Sequence, residues 1–285
     1  MGKSGSVFVL LMGFSLVGAA QEFKLSPVLQ EISGLESLDG DHFVAINDGG
    51  HAAELYVLNL RGEIEKTVKV LGASNQDWED LTSDGTFLYV GDIGNNLNKR
   101  RDLCVYKIPL QDIRQGQEVT AEKIAFNYSE QVAFPPDPDQ KRYDAEGLAY
   151  YQGSLWIFTK VNDTPWSGKT LIYKLGIQPG NYTLSMNRSI FIGDGGWWSD
   201  AVTSADQHGG FFFLTTYNRI LKYDLGQQPA LCTAVYNFPE STQKESILIY
   251  DECSWVADEY QTFLGGGKLY KIPLSDFKKW NSKTK

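Results

Sequence analysis

Apolar and polar residues alternate with a period of two along most of the chain, in short runs separated by clusters of Gly, Asn, Asp and Pro. Runs of this kind are typical of β-strands that bury one face, and the residues between them are those that favour turns. The sequence contains no apolar stripe at helical spacing that persists over three turns. The pattern therefore predicts an all-β protein.

The strand pattern recurs five times along the chain. Each unit has a small residue before an apolar one, then an apolar strand, a polar loop and a further strand with a central tyrosine. The five tyrosines are Tyr56, Tyr106, Tyr173, Tyr223 and Tyr270. Units of roughly 40 to 50 residues made of several short strands are the signature of propeller blades. We therefore predict a single five-bladed β-propeller domain over residues 21–285.

Fourth strands are predicted at residues 64–71, 122–128, 184–192 and 232–238. The fifth unit ends too early for a fourth strand, and residues 23–29 are available to supply it. An N-terminal strand in that place closes the ring without leaving a sheet edge exposed. The alternative is a six-bladed ring with a degenerate blade hidden in residues 111–143 or 236–258.

Composition narrows the class of partner. Hydrophobic residues make up 42% of the chain and charged residues 21%, which is typical of a globular protein rather than a disordered one. The net charge of −9 argues against a nucleic-acid partner, because phosphate binding needs clustered Lys and Arg. Beyond the N-terminus, no apolar run is long enough to span a bilayer. We expect a monomer whose partner is a small molecule or an extracellular molecule.

The N-terminus has the pattern of a signal peptide over residues 1–20. Lys3 supplies a positive charge, residues 7–17 form an apolar run, and residues 18–20 are small enough for signal cleavage. We therefore predict export and a secreted, periplasmic or extracellular location. Export allows oxidation, so two outcomes stay open for the cysteines. Either Cys232 and Cys253 form a bridge, or these two and Cys104 are three buried thiols.

Acidic residues recur at one position of the repeat, two residues before the apolar residue that opens a unit. They are Glu79, Glu146, Asp200 and Glu245, and the first unit has Ser33 there. In a propeller, equivalent positions of successive blades face each other around one axis. Converging carboxylates raise each other's pKa unless a cation neutralises them, and oxygen ligands suit Ca²⁺ or Mg²⁺. The alternative is that these acids cap strand ends or pair with Lys and Arg.

Three further acids lie close to this set and complete the predicted metal ligands: Asp80, Asp92 and Asp144. The loops after the second strands are a second candidate site, at residues 47–50, 92–96 and 162–163. Turn formation also explains the Asn, Asp and Gly residues of these loops. The three histidines are scattered, so the sequence does not predict a zinc site, and no catalytic constellation is complete.

Two segments carry a resemblance to a known family. Residues 77–81 (Asp-Trp-Glu-Asp-Leu) and residues 91–96 (Gly-Asp-Ile-Gly-Asn-Asn) resemble a group of mostly uncharacterised exported bacterial propeller proteins. This resemblance spans roughly residues 33–174 and implies the fold and export. More distantly, residues 146–148 (Glu-Gly-Leu) and the ring of acids look like gluconolactonase-type and phytase-like propellers. That likeness implies a channel Ca²⁺ that polarises an ester, lactone or phosphate.

Two functional hypotheses follow from the sequence. The first is a non-enzymatic exported propeller that binds a ligand or partner, with a divalent cation in or near its channel. The second is a metal-dependent hydrolase of a lactone, ester or phosphoester, in which the cation polarises the scissile group and activates a water. A hydrolase also needs a carboxylate that is free of the cation and within reach of that water.

Overall fold

The computed structural model describes residues 20–280. The predicted signal peptide, apart from its last residue, lies outside the described residues. Within them, the strands in chain order are β1 (Gln21–Lys24), β2 (Ile32–Ser37), β3 (His42–Asn47), β4 (Glu54–Asn59), β5 (Ile64–Leu71), β6 (Trp78–Ser83), β7 (Phe87–Asp92), β8 (Cys104–Pro109), β9 (Glu118–Thr120), β10 (Glu122–Tyr128), β11 (Ala145–Tyr151), β12 (Ser154–Thr159), β13 (Lys169–Gly176), β14 (Gly180–Leu184), β15 (Arg188–Phe191), β16 (Ser204–His208), β17 (Phe211–Thr215), β18 (Arg219–Asp224), β19 (Leu231–Asn237), β20 (Lys244–Tyr250), β21 (Cys253–Asp258), β22 (Lys268–Pro273) and β23 (Lys278–Lys279).

Helical structure is confined to the connections. The described residues contain two short α-helices and three 3-10 turns, which are α1 (Leu110–Gln115), α2 (Trp197–Asp200), Pro27–Leu29, Pro138–Gln140 and Leu274–Asp276. None of these helices is long and apolar enough to cross a membrane.

The strands form five sheets around a common axis, and we call these sheets blades 1 to 5. Their strand orders from the axis outward are β2-β3-β4-β5-β9, β6-β7-β8-β10-β14, β11-β12-β13-β15, β16-β17-β18-β19-β23 and β20-β21-β22-β1. The predicted five-bladed propeller is confirmed. A sixth blade does not form in the described residues, because residues 111–143 supply outer strands of blades 1 and 2, and residues 236–258 contain the two inner strands of blade 5, β20 and β21.

The N-terminal strand closes the ring, as the sequence predicts. Strand β1 pairs antiparallel with β22, from Gln21 opposite Lys271 to Lys24 opposite Lys268. The strand is shorter and earlier than the predicted range 23–29, because Pro27 begins a 3-10 turn that leads into β2.

Outer strands from one blade also extend the blade before it. Strand β9 follows β8 of blade 2 along the chain but pairs parallel with β5 of blade 1, and β14 leaves blade 3 to pair parallel with β10 of blade 2. The C-terminal strand β23 likewise pairs with β19 of blade 4. The predicted fourth strand over 184–192 is therefore shorter, at Arg188–Phe191. These additions cover blade edges that would otherwise expose unpaired backbone groups.

The apolar core lies between the blades rather than along the axis. Five clusters of buried side chains each join two neighbouring blades, with the fully buried Trp78 in the cluster between blades 1 and 2. The inner strands β2, β6, β11, β16 and β20 surround the axis. Each of them contacts the inner strands of the two adjacent blades.

The cysteines are all free thiols. Cys104 and Cys253 are buried, and Cys232 is half-buried. The bridge between Cys232 and Cys253 is therefore not formed. Burial raises the pKa of each thiol above its ordinary value, so all three are weak nucleophiles at neutral pH.

Candidate metal centre

Four of the five inner strands contain a β-bulge near their first residue, where each begins to pair with the second strand of its blade. The register shifts leave Ser33, Glu79, Glu146 and Glu245 unpaired, each opposite the end of the second strand of its own blade. A bulge re-aims the side chain of the extra residue, which explains why three acids leave the sheet and turn toward the same end of the channel. We call this end, where the inner strands begin, the mouth.

A second set of residues reaches the mouth from the loops. Asp48 and Glu259 directly follow the second strands of blades 1 and 5, and Lys160 follows that of blade 3. Asp77 and Asp144 directly precede the inner strands β6 and β11. We call the carboxyls of this region the acidic mouth, which comprises Asp48, Asp77, Glu79, Asp144, Glu146, Glu245 and Glu259.

Two groups of three carboxylates within the acidic mouth are close enough to share an ion. In the first, one oxygen each of Asp48, Asp77 and Glu79 lie within 4.8 Å of one another, and in the second the same holds for Glu79, Asp144 and Glu146. A Ca²⁺–oxygen bond is about 2.4 Å, so oxygens separated by up to twice that length can reach one ion. Glu79 belongs to both groups and is therefore central to the site.

The environment of the acidic mouth disfavours the ionised form of its carboxyls. Burial, and then the neighbouring carboxylates, raise the pKa of Asp77 to about 7 and that of Glu79 well above its ordinary value. Burial raises the pKa of Glu259 to about 8, with Glu245 and Asp48 adding to it. The pKa of Asp144 is raised to about 6, because burial outweighs the opposing effect of Lys160.

Lys160 is the cation at the centre of this region. Its Nζ lies 3.1 Å from Glu146 Oε2 and 4.0 Å from Glu245 Oε1. Burial alone would lower the pKa of Lys160, but Glu146 and Glu245 raise it well above the ordinary value. One ammonium cannot balance seven carboxyls. The rest must either keep protons or face a further cation.

Two glycines make this crowding of carboxyls sterically feasible. A Cβ added to Gly94 would lie against Glu79 Oε1 and 2.5 Å from Asp77 Cγ. A Cβ on Gly49 would lie 2.6 Å from Asp77 Oδ1. Both glycines belong to the loop motifs that the sequence offers as a second candidate site, so their role is to let carboxylates approach the backbone.

The structure brings together four of the seven predicted ligands: Glu79, Asp144, Glu146 and Glu245. Asp92 lies at the edge of the site, where its Oδ1 is 2.8 Å from Arg100 Nη2 and accepts a hydrogen bond from the backbone N–H of Asp77. Asp92 is therefore neutralised by Arg100 and supports the loop before β6 instead of facing the mouth.

Asp80 lies deeper on the axis and does not face the mouth. Its Oδ2 accepts hydrogen bonds from Leu148 N at 2.8 Å, Ala205 N at 3.1 Å and Ser204 Oγ at 3.1 Å, while Oδ1 accepts from Leu81 N. Four donors satisfy the carboxylate without a metal. The side chain ties blades 2, 3 and 4 together.

Asp200 is not equivalent to the other acids. The sequence places it in the same phase of the repeat, but it lies in helix α2, where it pairs with Arg219 Nη2 at 2.8 Å and accepts from Gly195 N and Ser199 Oγ. The inner strand of blade 4 begins later, at Ser204, and has no bulge. The assignment of Asp200 to the ring of acids is therefore wrong.

The sequence analysis missed Asp77 and Glu259 as site residues, and it placed Asp48 in a second candidate site whose residues turn formation also explains. Asp48, Lys160 and Glu259 occupy the same place in blades 1, 3 and 5, one residue after the second strand. Aligning the ends of the second strands across units, rather than only the starts of the inner strands, would have identified this second set.

Comparison with known proteins supports the fold alone. No family model matches the chain, and no curated protein sequence matches it. Among solved structures, the glutaminyl cyclase of Myxococcus xanthus is 14% identical, with 92% of this chain and 98% of that chain covered and a TM-score of 0.56. The virginiamycin B lyase of Staphylococcus aureus is 13% identical, with 89% and 69% covered and a TM-score of 0.42. The likeness to the glutaminyl cyclase supports the β-propeller fold, and at this identity it carries no statement about reaction.

Proposed function

We propose that this chain is an exported β-propeller that binds a divalent cation at the acidic mouth and, through that cation, a small-molecule or extracellular ligand. The observation that carries the proposal is the position of Glu79, whose carboxylate belongs to both groups of three oxygens. Export is supported by the N-terminal segment, which has the charge, apolar run and small residues of a signal peptide.

The donor set favours Ca²⁺ over a transition metal. Both groups offer only carboxylate oxygens, which are the ligands of hard cations. Ca²⁺ accepts six to eight oxygens in flexible geometry, whereas Mg²⁺ demands a near-ideal octahedron. The donors here come from blades 1, 2 and 3 and from loops as well as strands, which suits the more tolerant ion.

Protons and the cation compete for the same oxygens. Without a metal, the raised pKa values of Asp77, Asp144 and Glu79 mean that part of this group stays protonated near neutral pH. A bound cation stabilises the ionised forms, so its binding releases protons and tightens as pH rises.

Titration calorimetry with CaCl₂ tests this proposal. Measured in two buffers of different ionisation heat, binding should show net proton release, and EDTA should lower the melting temperature of the calcium-loaded protein. Glu79→Gln should weaken binding more than any other single change, because it removes one ligand from both groups. Glu122→Gln, on the exposed outer strand β10, is the matched control and should bind as the wild type does. An absence of binding heat, with melting unchanged by Ca²⁺ or EDTA, would reject the site.

A second candidate is a metal-dependent hydrolase of a lactone, ester or phosphoester, and Glu245 is the observation that favours it. Its side chain is buried, its Oε2 has no hydrogen-bond partner in the described residues, and it belongs to neither group of three. Burial raises the pKa of Glu245, against the opposing effect of Lys160, which suits a general base near neutral pH.

Turnover of lactone, aryl ester and phosphoester substrates distinguishes the two candidates. For a hydrolase, Glu245→Gln should abolish calcium-dependent turnover while leaving Ca²⁺ affinity within a few-fold of the wild type. If no substrate in the panel is turned over by the calcium-loaded protein, the binding function is retained and the hydrolase is rejected.

A further inference from the structure

A cavity of about 910 Å³ opens on the side of blade 2, away from the axis. Its floor is the outer part of the blade, where β10 and β14 pair in parallel, and its walls are the segment after β7 and Phe134 of the long connection before β11. This volume is within the range of small-molecule binding sites. The residues that line it include Arg101, Lys123, Asn127, Phe134, Asn181 and Tyr182.

The cavity is basic although the chain carries a net charge of −9. Three cations line it, and one of them, Arg100, is committed to Asp92 at 2.8 Å and Asp102 at 3.1 Å. In the part of the chain that the structure describes, Arg101 and Lys123 form no ion pair. The lining also includes the carboxylate of Asp102, which shares Arg100 with Asp92. The three cations of the lining therefore outnumber its one carboxylate, which makes the cavity attractive to an anionic group.

Arg101 is held in place by an aromatic ring instead of an acid. Its Cζ lies 3.6 Å from the centroid of the Phe134 ring, which is close stacking. A guanidinium stacked in this way keeps its edge N–H groups free to donate to a carboxylate or sulfate. Stacking thus orients the group without neutralising it.

The rest of the lining combines amides with aromatic faces. Asn127 Oδ1 accepts from Thr183 Oγ1 at 3.0 Å, which leaves its Nδ2 as a donor to a ligand. Asn181 lies opposite Ala125 in the parallel pair of β14 and β10 and so faces the same side as Asn127. The ring of Tyr182 instead packs against the core between blades 2 and 3, and its hydroxyl donates to Gln178 O at 2.9 Å. Amides suit hydroxyl groups, and aromatic rings suit the apolar faces of a ring.

We propose that this cavity is a binding site for an acidic saccharide, with the anionic group on Arg101 and Lys123, the hydroxyls on Asn127 and Asn181, and a sugar ring against Phe134. Only a ligand that is at once anionic, hydroxyl-bearing and ring-shaped uses all three kinds of lining. The cavity shares no residue with the acidic mouth, and Arg100, which lines the cavity, pairs with Asp92 at the edge of the mouth. Because the cavity contains its own cations, we expect binding to need no Ca²⁺.

Calorimetry with three tetrasaccharides tests the proposal: tetragalacturonate, a heparin-derived sulfated tetrasaccharide and neutral maltotetraose. Protein made in a bacterial host is preferred, because Asn127 and Asn181 each start a glycosylation sequon that a glycan would block. One or both acidic probes should bind, and the stronger of the two identifies the anion as carboxylate or sulfate. Binding should weaken as salt is raised. Failure of both acidic probes, or equal binding of maltotetraose, overturns the proposal.

Variants test whether the saccharide binds in this cavity, rather than through nonspecific attraction to surface charge or at the acidic mouth. Arg101→Ala with Lys123→Ala should weaken binding by at least about tenfold, because two charge-assisted contacts are lost. Arg61→Ala with Lys69→Ala removes the same charge from exposed sites on blade 1 and should leave the affinity unchanged. Glu79→Gln and EDTA should also leave it unchanged, whereas the cavity variants should keep their Ca²⁺ binding. Wild-type affinity in the cavity double variant would refute the assignment.

Discussion

Asp77 offers the sharpest test of the electrostatics of the mouth. Burial, with Asp48 and Asp144 nearby, raises its pKa to about 7. The folded protein therefore holds a proton on Asp77 at a pH where the unfolded chain has released it. This contribution to stability is fully present below the unfolded pKa and is lost as the pH rises through the folded pKa. In EDTA, the wild type should become less stable from about pH 4 to about pH 8.

The size of this effect follows from the pKa difference. A carboxyl with a pKa of about 7 in the folded state and 3.8 in the unfolded state contributes about 4 kcal/mol to the free energy of unfolding at low pH. Asp77 keeps partial contact with water, so we expect about half, roughly 2 kcal/mol. For a domain of this size, 2 kcal/mol corresponds to a change in melting temperature of about 4–8 °C.

Asp77→Asn should remove this contribution, because the amide does not titrate and has nearly the same shape. Thermal melts in EDTA at about pH 4 and about pH 8 should show a smaller fall for the variant, by about 4–8 °C, with Glu122→Gln behaving as the wild type. Saturating Ca²⁺ should reverse the order at the higher pH, since the variant lacks a ligand. Parallel melting profiles for wild type and variant in EDTA would refute the reasoning.

Three further outcomes are expected. Asp80→Asn should lower the free energy of unfolding by about 3 kcal/mol in denaturant titrations, because its amide NH₂ would face backbone N–H donors and leave them unsatisfied; wild-type stability would contradict its role on the axis. Gly94→Ala should impair Ca²⁺ binding in calorimetry, whereas Gly40→Ala, whose Cβ meets only the Tyr250 hydroxyl at 4.0 Å, should not. Unfolded protein prepared without reductant should titrate three thiols, and fewer would indicate a bridge.

Much of the fold could be predicted because each blade repeats its own local pattern. The central tyrosines locate the third strand of every unit, and the missing fourth strand of the last unit points to the N-terminus. The strands exchanged between blades could not be predicted. Strand β9 has only three residues, and its parallel partner β5 is set by how neighbouring blades pack rather than by its own sequence.

The site residues could be predicted where their position in the repeat also determines the direction of their side chains. Glu79, Glu146 and Glu245 share a phase and a bulge, so they converge. Asp200 shares the phase but not the bulge, because residues 197–200 form a helical turn instead of entering the inner strand. The position of an acid within the repeat therefore predicts the direction of its side chain only when the same β-bulge recurs in its blade.

Neighbouring residues of one motif show how the bulge divides the chemistry of the channel. Glu79 and Asp80 are adjacent and both buried, yet Glu79 faces other carboxylates while Asp80 accepts four hydrogen bonds. In a regular strand, the pleat directs adjacent side chains to opposite faces of the sheet. The bulge instead turns the side chain of Glu79 along the axis toward the mouth. Asp80 therefore joins the blades, whereas Glu79 accepts no hydrogen bond within the described residues and is the acid that we propose as a cation ligand. Adjacent acids can thus have different partners, because the backbone and not the residue type decides which groups each one meets.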